Sequence, residues 1–439
     1  MKFVFSKYFF LLFLISLIPI SLSWNLPILR WIALGWDLLL VSIALIDWRM
    51  SHLPKEFELK REFEKRFAIG DETNVILRAE NRSKRNLHLI LKDEYPTDLK
   101  LIHSRETRLK VEAQSASILS YGLIPPKRGR FEFGGTAVRH LSKFKLVWCQ
   151  TKINTETAIK VYPNMRRARE MELKALGAKS LVAAQRKSIK RGEGREFESM
   201  RDYVRGDEIR HLSWTATARR GKLVTRQYQI ERDQTILIAI DAGRLMTGRI
   251  GNETKFDLAI HASLALMSAA TRGGDNAGIM IFGRKVKKFI APKRGVEQLE
   301  AVLEALHDLE PEMIEPSYAR AFQFIAANIK RRALVVILTD LIDEEGSKDL
   351  LASLKLLRPR HLPLVTTIGD RDLRLVVQEA PNSSRELFTQ SVAEEIIYQR
   401  DAALRLVETQ GGLALDVTAA SLAPSLLETY LRVKERGLL

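Results

Sequence analysis

The stretch FESMRDYVRGDEIRHLSWTATARRGKL, residues 197–223, contains the residue types of a hydrolytic site. Asp207, His211 and Ser213 offer an acid, a base and a hydroxyl nucleophile. These three residues lie within seven positions, whereas catalytic triads are usually assembled from distant segments. The chain also has no Gly-x-Ser-x-Gly elbow and no Gly-x-x-x-x-Gly-Lys-Ser/Thr loop. We therefore predict a protein that is not an enzyme, so that any ATP hydrolysis comes from a partner.

The same stretch belongs to a basic region. Residues 160–232 hold 19 Lys and Arg against 9 Asp and Glu, an excess of +10 out of the chain's net +17. Cations interleaved with Tyr203, Trp214 and Tyr228 are suitable for nucleic-acid backbones and bases. Acidic residues such as Asp202 and Glu208 interrupt the run, so nucleic-acid binding is the less favoured reading. Anionic lipid or an acidic protein remains as the partner class, beside a simple solvated basic face.

Three carboxylates in the C-terminal half of the chain form a second candidate site. Asp241, Asp340 and Asp370 each follow an apolar run that is typical of a buried strand. Ligands of open parallel sheets bind beyond the carboxyl ends of the strands. These three residues are therefore expected at one edge of a sheet.

Two apolar segments open the chain, Tyr8–Ser23 and Ile28–Ile46. Four residues separate them, and the second segment is long enough for a bilayer core. We predict a transmembrane helical hairpin over residues 1–52, with cleavage after Ser23 as the less favoured alternative. Basic residues flank both ends, and Cys149 is the single cysteine, so the soluble part is predicted to face the cytoplasm.

Asp37 lies in the middle of the second apolar segment, where a charge facing lipid costs about 3 kcal/mol. Two interpretations stay open. The carboxyl contacts the other helix or a partner, or it is protonated or lies beside a turn.

The remaining chain divides by the period of its apolar residues. Alternation over residues 53–162 predicts a small antiparallel β-sandwich, and 163–233 is the basic segment. From residue 234 to 439, strands alternate with helices, beginning with TILIAIDAG and KFDLAIHASLALMSAATRG. This alternation predicts an α/β domain with a doubly wound, mostly parallel sheet and helices on both faces.

The signature residues carry a family resemblance. Residues 197–246, together with the later ILTDL and RHLPL, resemble the family known as domain of unknown function fifty-eight, membrane-anchored bacterial proteins with a von Willebrand factor A-like domain. The signature residues are Tyr203, Gly206, Asp207, Trp214, Thr217, Ala218 and Arg226. The resemblance implies partnership with a MoxR-type AAA+ ATPase and a chaperone or assembly role, without an activity of its own.

The resemblance also raises the question of a metal. Von Willebrand A domains often hold Mg²⁺ through an Asp-x-Ser-x-Ser loop, a Thr and a second Asp. Here Asp241 and Asp340 match the carboxylates and Ser317 replaces the Thr, but Gly243 and Leu245 stand at the hydroxyl positions. So few oxygen donors make a poor Mg²⁺ site. We predict no metal and no cofactor, with Asp241 and Asp340 capping loops or pairing with Arg244. A Mg²⁺-dependent binding or hydrolytic protein using these residues is the alternative.

The favoured interpretation of the signature is a docking segment. Gly206 and Asp207 would form a turn, while Leu212 and Trp214 would pin the segment onto the α/β domain. The predicted interaction residues are Arg201, Tyr203, Asp207, Arg210, Trp214 and Arg226. The predicted function is that of a membrane-anchored, cytoplasm-facing adaptor or assembly factor that works with a MoxR-type ATPase. A membrane-tethered nucleic-acid binder is the further alternative, and no small-molecule substrate is expected.

Overall fold

The structure is a computed structural model. It describes residues 2–24, 26–102, 106–167, 169–170, 173, 196–204, 209, 212–229, 233–251, 253–341, 344–369, 371–378, 380–381 and 383–439. The chain forms two compact units, Met1–Tyr162 and Pro163–Leu439. The segment predicted as an anchor and the β module therefore belong to one unit.

The first unit begins with a short strand and three helices. These are β1 (Lys2–Phe5), α1 (Lys7–Leu14), α2 (Leu17–Leu22) and α3 (Ile28–Met50). Helix α3 is the one helix among the described residues that is long and apolar enough to cross a membrane. Its 23 residues span about 34 Å at about 1.5 Å each, a little more than a hydrocarbon core. An N-terminal membrane anchor is thus supported by length and composition.

The first apolar segment differs from the prediction of a second spanning helix. It is divided into α1 and α2 by a break at Ile15 and Ser16, and neither piece is long enough to cross a bilayer. Pro19 explains the break, because its ring lacks an amide hydrogen and clashes with the carbonyl of Ile15 one turn earlier. Both pieces still pack beside α3, and the Trp36 indole donates a hydrogen bond to the Leu12 carbonyl, 3.2 Å away.

The base of α3 is fixed to the β module through Asp47, whose side chain is buried. Its carboxylate accepts hydrogen bonds from the Ser142 hydroxyl, from the amide of Phe144 at 3.1 Å and from the amide of Leu146 at 3.4 Å. The Ser51 hydroxyl donates a further bond of 3.2 Å. A buried charge needs such partners, so this one residue connects the anchor to the loop before β11.

Eleven strands make the β module. They are β2 (Phe57–Phe63), β3 (Phe67–Ala68), β4 (Thr73–Asn81), β5 (Leu87–Asp93), β6 (Lys100–Leu101), β7 (Glu106–Val111), β8 (Ser115–Ile124), β9 (Gly129–Phe133), β10 (Thr136–Leu141), β11 (Val147–Ile153) and β12 (Thr157–Tyr162). Their sheets have the orders β1-β11-β10-β5-β7, β2-β4-β8-β6 and β3-β12-β9. Pairing is antiparallel except between β3 and β12, and β1 brings the N-terminus into the first sheet.

The inward side chains of these sheets share one apolar core. Burial alternates residue by residue along β4 and β5, as expected for strands with one face covered. Arg61 and Asp93 form a buried ion pair inside it, and the Tyr121 hydroxyl donates to the same carboxylate at 2.5 Å. Burial of Tyr121 and its contact with Asp93 raise the pKa of its phenol well above the usual value.

The signature segment belongs to the second unit and precedes the α/β domain in the chain. Strand β13 (Glu196–Asp202) pairs antiparallel with β14 (Val224–Gln229), and helix α4 (Trp214–Arg220) lies between them in the chain. The helix ends at Gly221, whose φ of +66° is the left-handed conformation that glycine adopts most readily.

A six-stranded sheet forms the α/β domain. Its elements are β15 (Thr235–Asp241), β16 (Arg249–Ile250), β17 (Glu253–Thr254), α5 (Lys255–Arg272), β18 (Asn276–Phe282), β19 (Val286–Lys293), α6 (Val296–Leu306), α7 (Tyr318–Asn328), β20 (Ala333–Thr339), α8 (Glu344–Leu354), β21 (Leu362–Gly369), α9 (Arg371–Gln378), α10 (Ser384–Thr409), β22 (Leu413–Thr418) and α11 (Leu422–Glu435). The strand order is β19-β18-β15-β20-β21-β22. All pairs are parallel except the one between β18 and the edge strand β19.

Helices cover this sheet on both faces. Residues of α7, α8 and α10 share a core with every second residue of β15 and β20, for example Leu237 and Val335. Helix α5 packs against β15 and β18 and against α11. Strands β15, β20 and β21 are buried almost throughout, which explains their continuous apolar sequences.

Candidate functional site

The candidate site is the carboxyl edge of the sheet between β15 and β20. The chain passes from β15 to β18 on one side, and later returns to β20 on the other side. Such a reversal opens a crevice beyond the carboxyl ends of the two strands. Asp241 is the last residue of β15 and Asp340 directly follows β20, so the prediction places both at this crevice correctly. Asp370 lies outside the described residues.

Both carboxylate oxygens of Asp241 accept hydrogen bonds. The amide of Gly243 donates to Oδ1 at 2.7 Å, and the Thr339 hydroxyl donates to Oδ2 at 2.7 Å. The Tyr318 hydroxyl lies 3.5 Å from Oδ2 and 2.9 Å from the Thr339 hydroxyl. Burial raises the pKa of Asp241 to about 6, although these hydrogen bonds act in the opposite direction.

Asp340 is held by two cations of the chain. The Lys255 ammonium contacts Oδ2, and Arg400 Nη2 donates to Oδ1 at 2.8 Å. The amide of Leu341 also donates to Oδ1, at 2.9 Å. The side chain of Asp340 is fully buried, and those of Lys255 and Arg400 are nearly so. The expected pairing of Asp340 with Arg244 is therefore wrong.

The ion pairs extend to the next strand end. Arg400 lies 3.7 Å from Asp416, which also binds Arg374 at 2.7 Å and accepts a hydrogen bond from Thr367 at 2.9 Å. Charges of opposite sign thus alternate along the carboxyl edge from β20 to β22.

The loop after β15 does not fit a divalent ion. A side chain at Gly243 would start 2.7 Å from Pro316 Cδ and 3.0 Å from the Ile314 carbonyl, so the position has no room for a hydroxyl donor. Arg244, next in the loop, pairs with Glu315 at 2.7 Å. Among the residues described, no group of three or more His, Cys, Asp and Glu side chains is arranged to hold a metal.

The hydroxyl at the site comes from a residue that was not predicted. Ser317 is the N-cap residue of α7, and its amide donates to the Gly283 carbonyl at 3.0 Å. Thr339, at the end of β20, donates to Asp241 instead.

The sequence did contain a signal for Arg400. Ala393, Arg400, Ala403, Leu404 and Val407 recur at helical spacing and are the buried residues of α10. A cation on an apolar helix face requires a buried anion, and here that anion is Asp340. Lys255 carried no such signal, because it is the first residue of its helix.

The predicted interaction residues fall in two groups. Asp207 and Arg210 lie outside the described residues, as does His211 of the rejected triad. Arg201 lies on β13, and Arg226 lies on β14, where it pairs in backbone register with Met200 of β13. The amide of Tyr203 donates to the Leu223 carbonyl at 2.9 Å, so the signature closes as a hairpin-like unit.

We expected Trp214 to pack onto the α/β domain. Instead, its side chain is 66% exposed at the start of α4. Other large apolar side chains of the signature segment are also exposed, and we call this set the signature surface: Met200, Val204, Ile209, Trp214 and Leu223. Exposed cations follow Trp214 in the sequence at Arg219, Arg220 and Lys222. Exposed aromatic residues with cationic neighbours are typical of protein contact sites.

Comparison with known proteins finds a family model that is similar to part of the chain. Residues 199–389 match the family model described as "Protein of unknown function DUF58". The match covers the end of β13, the signature surface and the α/β domain as far as α10.

Curated relatives are similar over a comparable length. The uncharacterized protein Rv1480 of Mycobacterium tuberculosis and the uncharacterized protein Mb1516 of Mycobacterium bovis are each 24% identical over 187 residues, which is 42% of this chain. The aligned part spans 58% of the length of these relatives.

Solved structures give weaker likenesses. The conserved hypothetical protein BatB from Bacteroides thetaiotaomicron aligns at 13% identity and a TM-score of 0.28, over 46% of this chain and 98% of that one. Proximal thread matrix protein 1 from the mussel byssus, solved with a zinc-occupied MIDAS motif, aligns at 9% identity and a TM-score of 0.27, over 47% of each chain.

Proposed function

We propose that this chain is a membrane-anchored adaptor or assembly factor whose soluble part faces the bacterial cytoplasm. Its C-terminal domain would be a doubly wound, von Willebrand A-like fold without a metal site, and it would work with a MoxR-type AAA+ ATPase. The class of partner comes from the family resemblance. The anchor is supported by α3, and the orientation by the basic residues that flank the apolar segments.

One observation carries the docking role: the family signature exposes a large aromatic side chain. Trp214, with Val204, Ile209 and Leu223, offers apolar area that a folded domain would ordinarily bury. Tryptophan is the commonest anchor of protein interfaces, and the cations at Arg219, Arg220 and Lys222 favour an acidic partner face. We infer that the ATPase, or a client that it remodels, binds here.

The carboxyl edge speaks against a reaction that depends on Mg²⁺. All four carboxylate oxygens of Asp241 and Asp340 already have partners within the protein. A Mg²⁺-dependent reaction would need these same oxygens as ligands.

Capture from native membranes tests the proposal. Affinity-tagged full-length chain, solubilised in mild detergent, is expected to enrich an AAA+ ATPase. Trp214→Ala should lower the recovered ATPase by about tenfold, since losing an interface anchor typically costs more than about 1 kcal/mol. The double change Arg219→Glu, Arg220→Glu should lower it as well.

Tyr398→Ala is the matched control, because Tyr398 is 71% exposed on α10, outside the signature surface. Recovery should be unchanged in that variant. An equal loss in both variants, or no ATPase with the native chain, would contradict the proposal.

A further inference from the structure

At the carboxyl edge, cations of the chain already accompany Asp340 and Asp416. Lys255 and Arg400 pair with Asp340, while Arg400 and Arg374 lie beside Asp416. A divalent ion placed beside Asp340 would lie next to the two buried cations that already pair with this carboxylate. At the low effective dielectric of a buried site, repulsion of this kind is strong.

Both carboxylate oxygens of Asp340 already have partners that a metal ion would have to replace. The ammonium of Lys255 holds Asp340 Oδ2, while Arg400 and the Leu341 amide hold Oδ1. At Gly243, the space for a hydroxyl side chain is taken by Pro316 and by the Ile314 carbonyl. A metal would have to displace a buried cation and move a loop.

We propose that the chain supplies the cation of this crevice itself, with the Lys255 ammonium and the Arg400 guanidinium taking the role that a divalent ion has in von Willebrand A domains. This inference rests on the proposed kinship with that fold. Lys255 begins α5, Asp340 follows β20, Arg400 lies on α10 and Asp416 on β22, so the ion pairs join four elements. The edge is therefore held in one arrangement whether or not divalent ions are present.

Mn²⁺ titration followed by electron paramagnetic resonance tests the first half of the proposal. Bound Mn²⁺ loses its sharp solution signal, so binding is counted directly. Full-length protein in detergent should leave the signal unchanged at millimolar Mn²⁺, and its unfolding temperature should not respond to Mg²⁺ or Mn²⁺. Stoichiometric Mn²⁺ binding that Asp340→Asn abolishes would overturn the proposal.

A double-mutant cycle tests the second half. Lys255→Met and Asp340→Asn should each lower the unfolding temperature of the second unit, because each leaves a buried charge without its partner. The double variant should lose much less than the sum of the two shifts. Additive shifts would mean that Lys255 is not the counterion of Asp340 and would overturn the proposal.

Two further variants keep the cycle interpretable. Lys287→Met removes an ammonium whose partner, Glu312, is largely exposed, and should change the unfolding temperature little. Lys255→Arg retains the cation. This variant should fold even if Lys255→Met does not, and it should not bind Mn²⁺. Mn²⁺ uptake by Lys255→Arg would count against the proposal. Capture of the ATPase is measured separately, so either proposal can fail alone.

Discussion

At the residue scale, Asp241 shows how burial alters a carboxyl group that keeps its hydrogen bonds. Desolvation raises its pKa from 3.8 to about 6, and the nearby Glu315 adds to the effect. Asp241 therefore binds a proton more tightly in the folded chain than in the unfolded one. Its contribution to folding is present below the unfolded pKa and is lost as the pH rises through about 6.

Replacing Asp241 with Asn should remove this pH dependence. The free energy of unfolding of Asp241→Asn, relative to the native chain, should rise between about pH 4 and pH 7, by at most about 3 kcal/mol for a shift of about two pKa units. Hydrogen exchange of β15 and β20 peptides, measured over this range, gives the local stability.

A constant difference between Asp241→Asn and the native chain from pH 4 to pH 7 would contradict the account.

For single residues, the place of a side chain in the fold was easier to predict than the group with which it pairs. Asp241 and Asp340 were placed at the sheet edge because each ends an apolar strand. The partners of Asp340, Lys255 and Arg400, were not predicted, since they lie 85 and 60 residues away from it in the chain. Periodicity reports which face of an element is buried, but not which distant charge meets it.

At the element scale, a buried carboxylate links the anchor helix to the β module, beside the apolar contacts of Leu40 and Ala44. Asp47 accepts hydrogen bonds from Ser142 and from the amides of Phe144 and Leu146. The strand that follows, β11, carries the free thiol of Cys149, which is buried. Burial and the nearby Asp47 raise the pKa of Cys149 to about 11, so the thiol is protonated and unreactive at neutral pH.

Asp47→Ala should make Cys149 reactive. The buried Leu146 amide and the buried Ser142 hydroxyl would lose their acceptor, at a cost of about 1–3 kcal/mol each, so local opening and alkylation by a maleimide should increase by about tenfold or more. Because Cys149 is the single cysteine, mass spectrometry of the labelled full-length chain measures this rate directly.

Asp37→Ala is the matched control on the same helix. Asp37 Oδ1 is buried and has no hydrogen-bond partner among the described residues, so its removal should leave the labelling rate unchanged. Equal labelling of the Asp47→Ala variant and the native chain would show that this carboxylate does not fix the helix.

Elements with a clear period were the most predictable. The strands of the sheet and helix α5 follow from continuous apolar runs and helical spacing. Helix α10 begins at Ser384, and periodicity does not mark this start because the first half of the helix is exposed and has no apolar stripe. The pairing of β1 with β11 was missed, since a four-residue strand depends on a partner about 145 residues away.

At the scale of the whole molecule, the chain contains a candidate anchor helix, a β module and an α/β domain whose sheet edge is closed by ion pairs. Chemistry at that edge would require oxygens that the protein already uses. The exposed signature surface remains as the feature that calls for a partner, and the match to the DUF58 model includes it. The central claim is that this surface is a docking site for an ATPase at the membrane.

Photocrosslinking from position 214 in living bacteria tests that claim most directly. A benzophenone amino acid replaces Trp214 in the full-length chain, and in a second strain it replaces Tyr398 as the control for an equally exposed aromatic position. Ultraviolet light should join position 214, but not position 398, to an AAA+ ATPase identified by mass spectrometry. Crosslinks from position 214 to lipid alone, or the same products from both positions, would contradict the account.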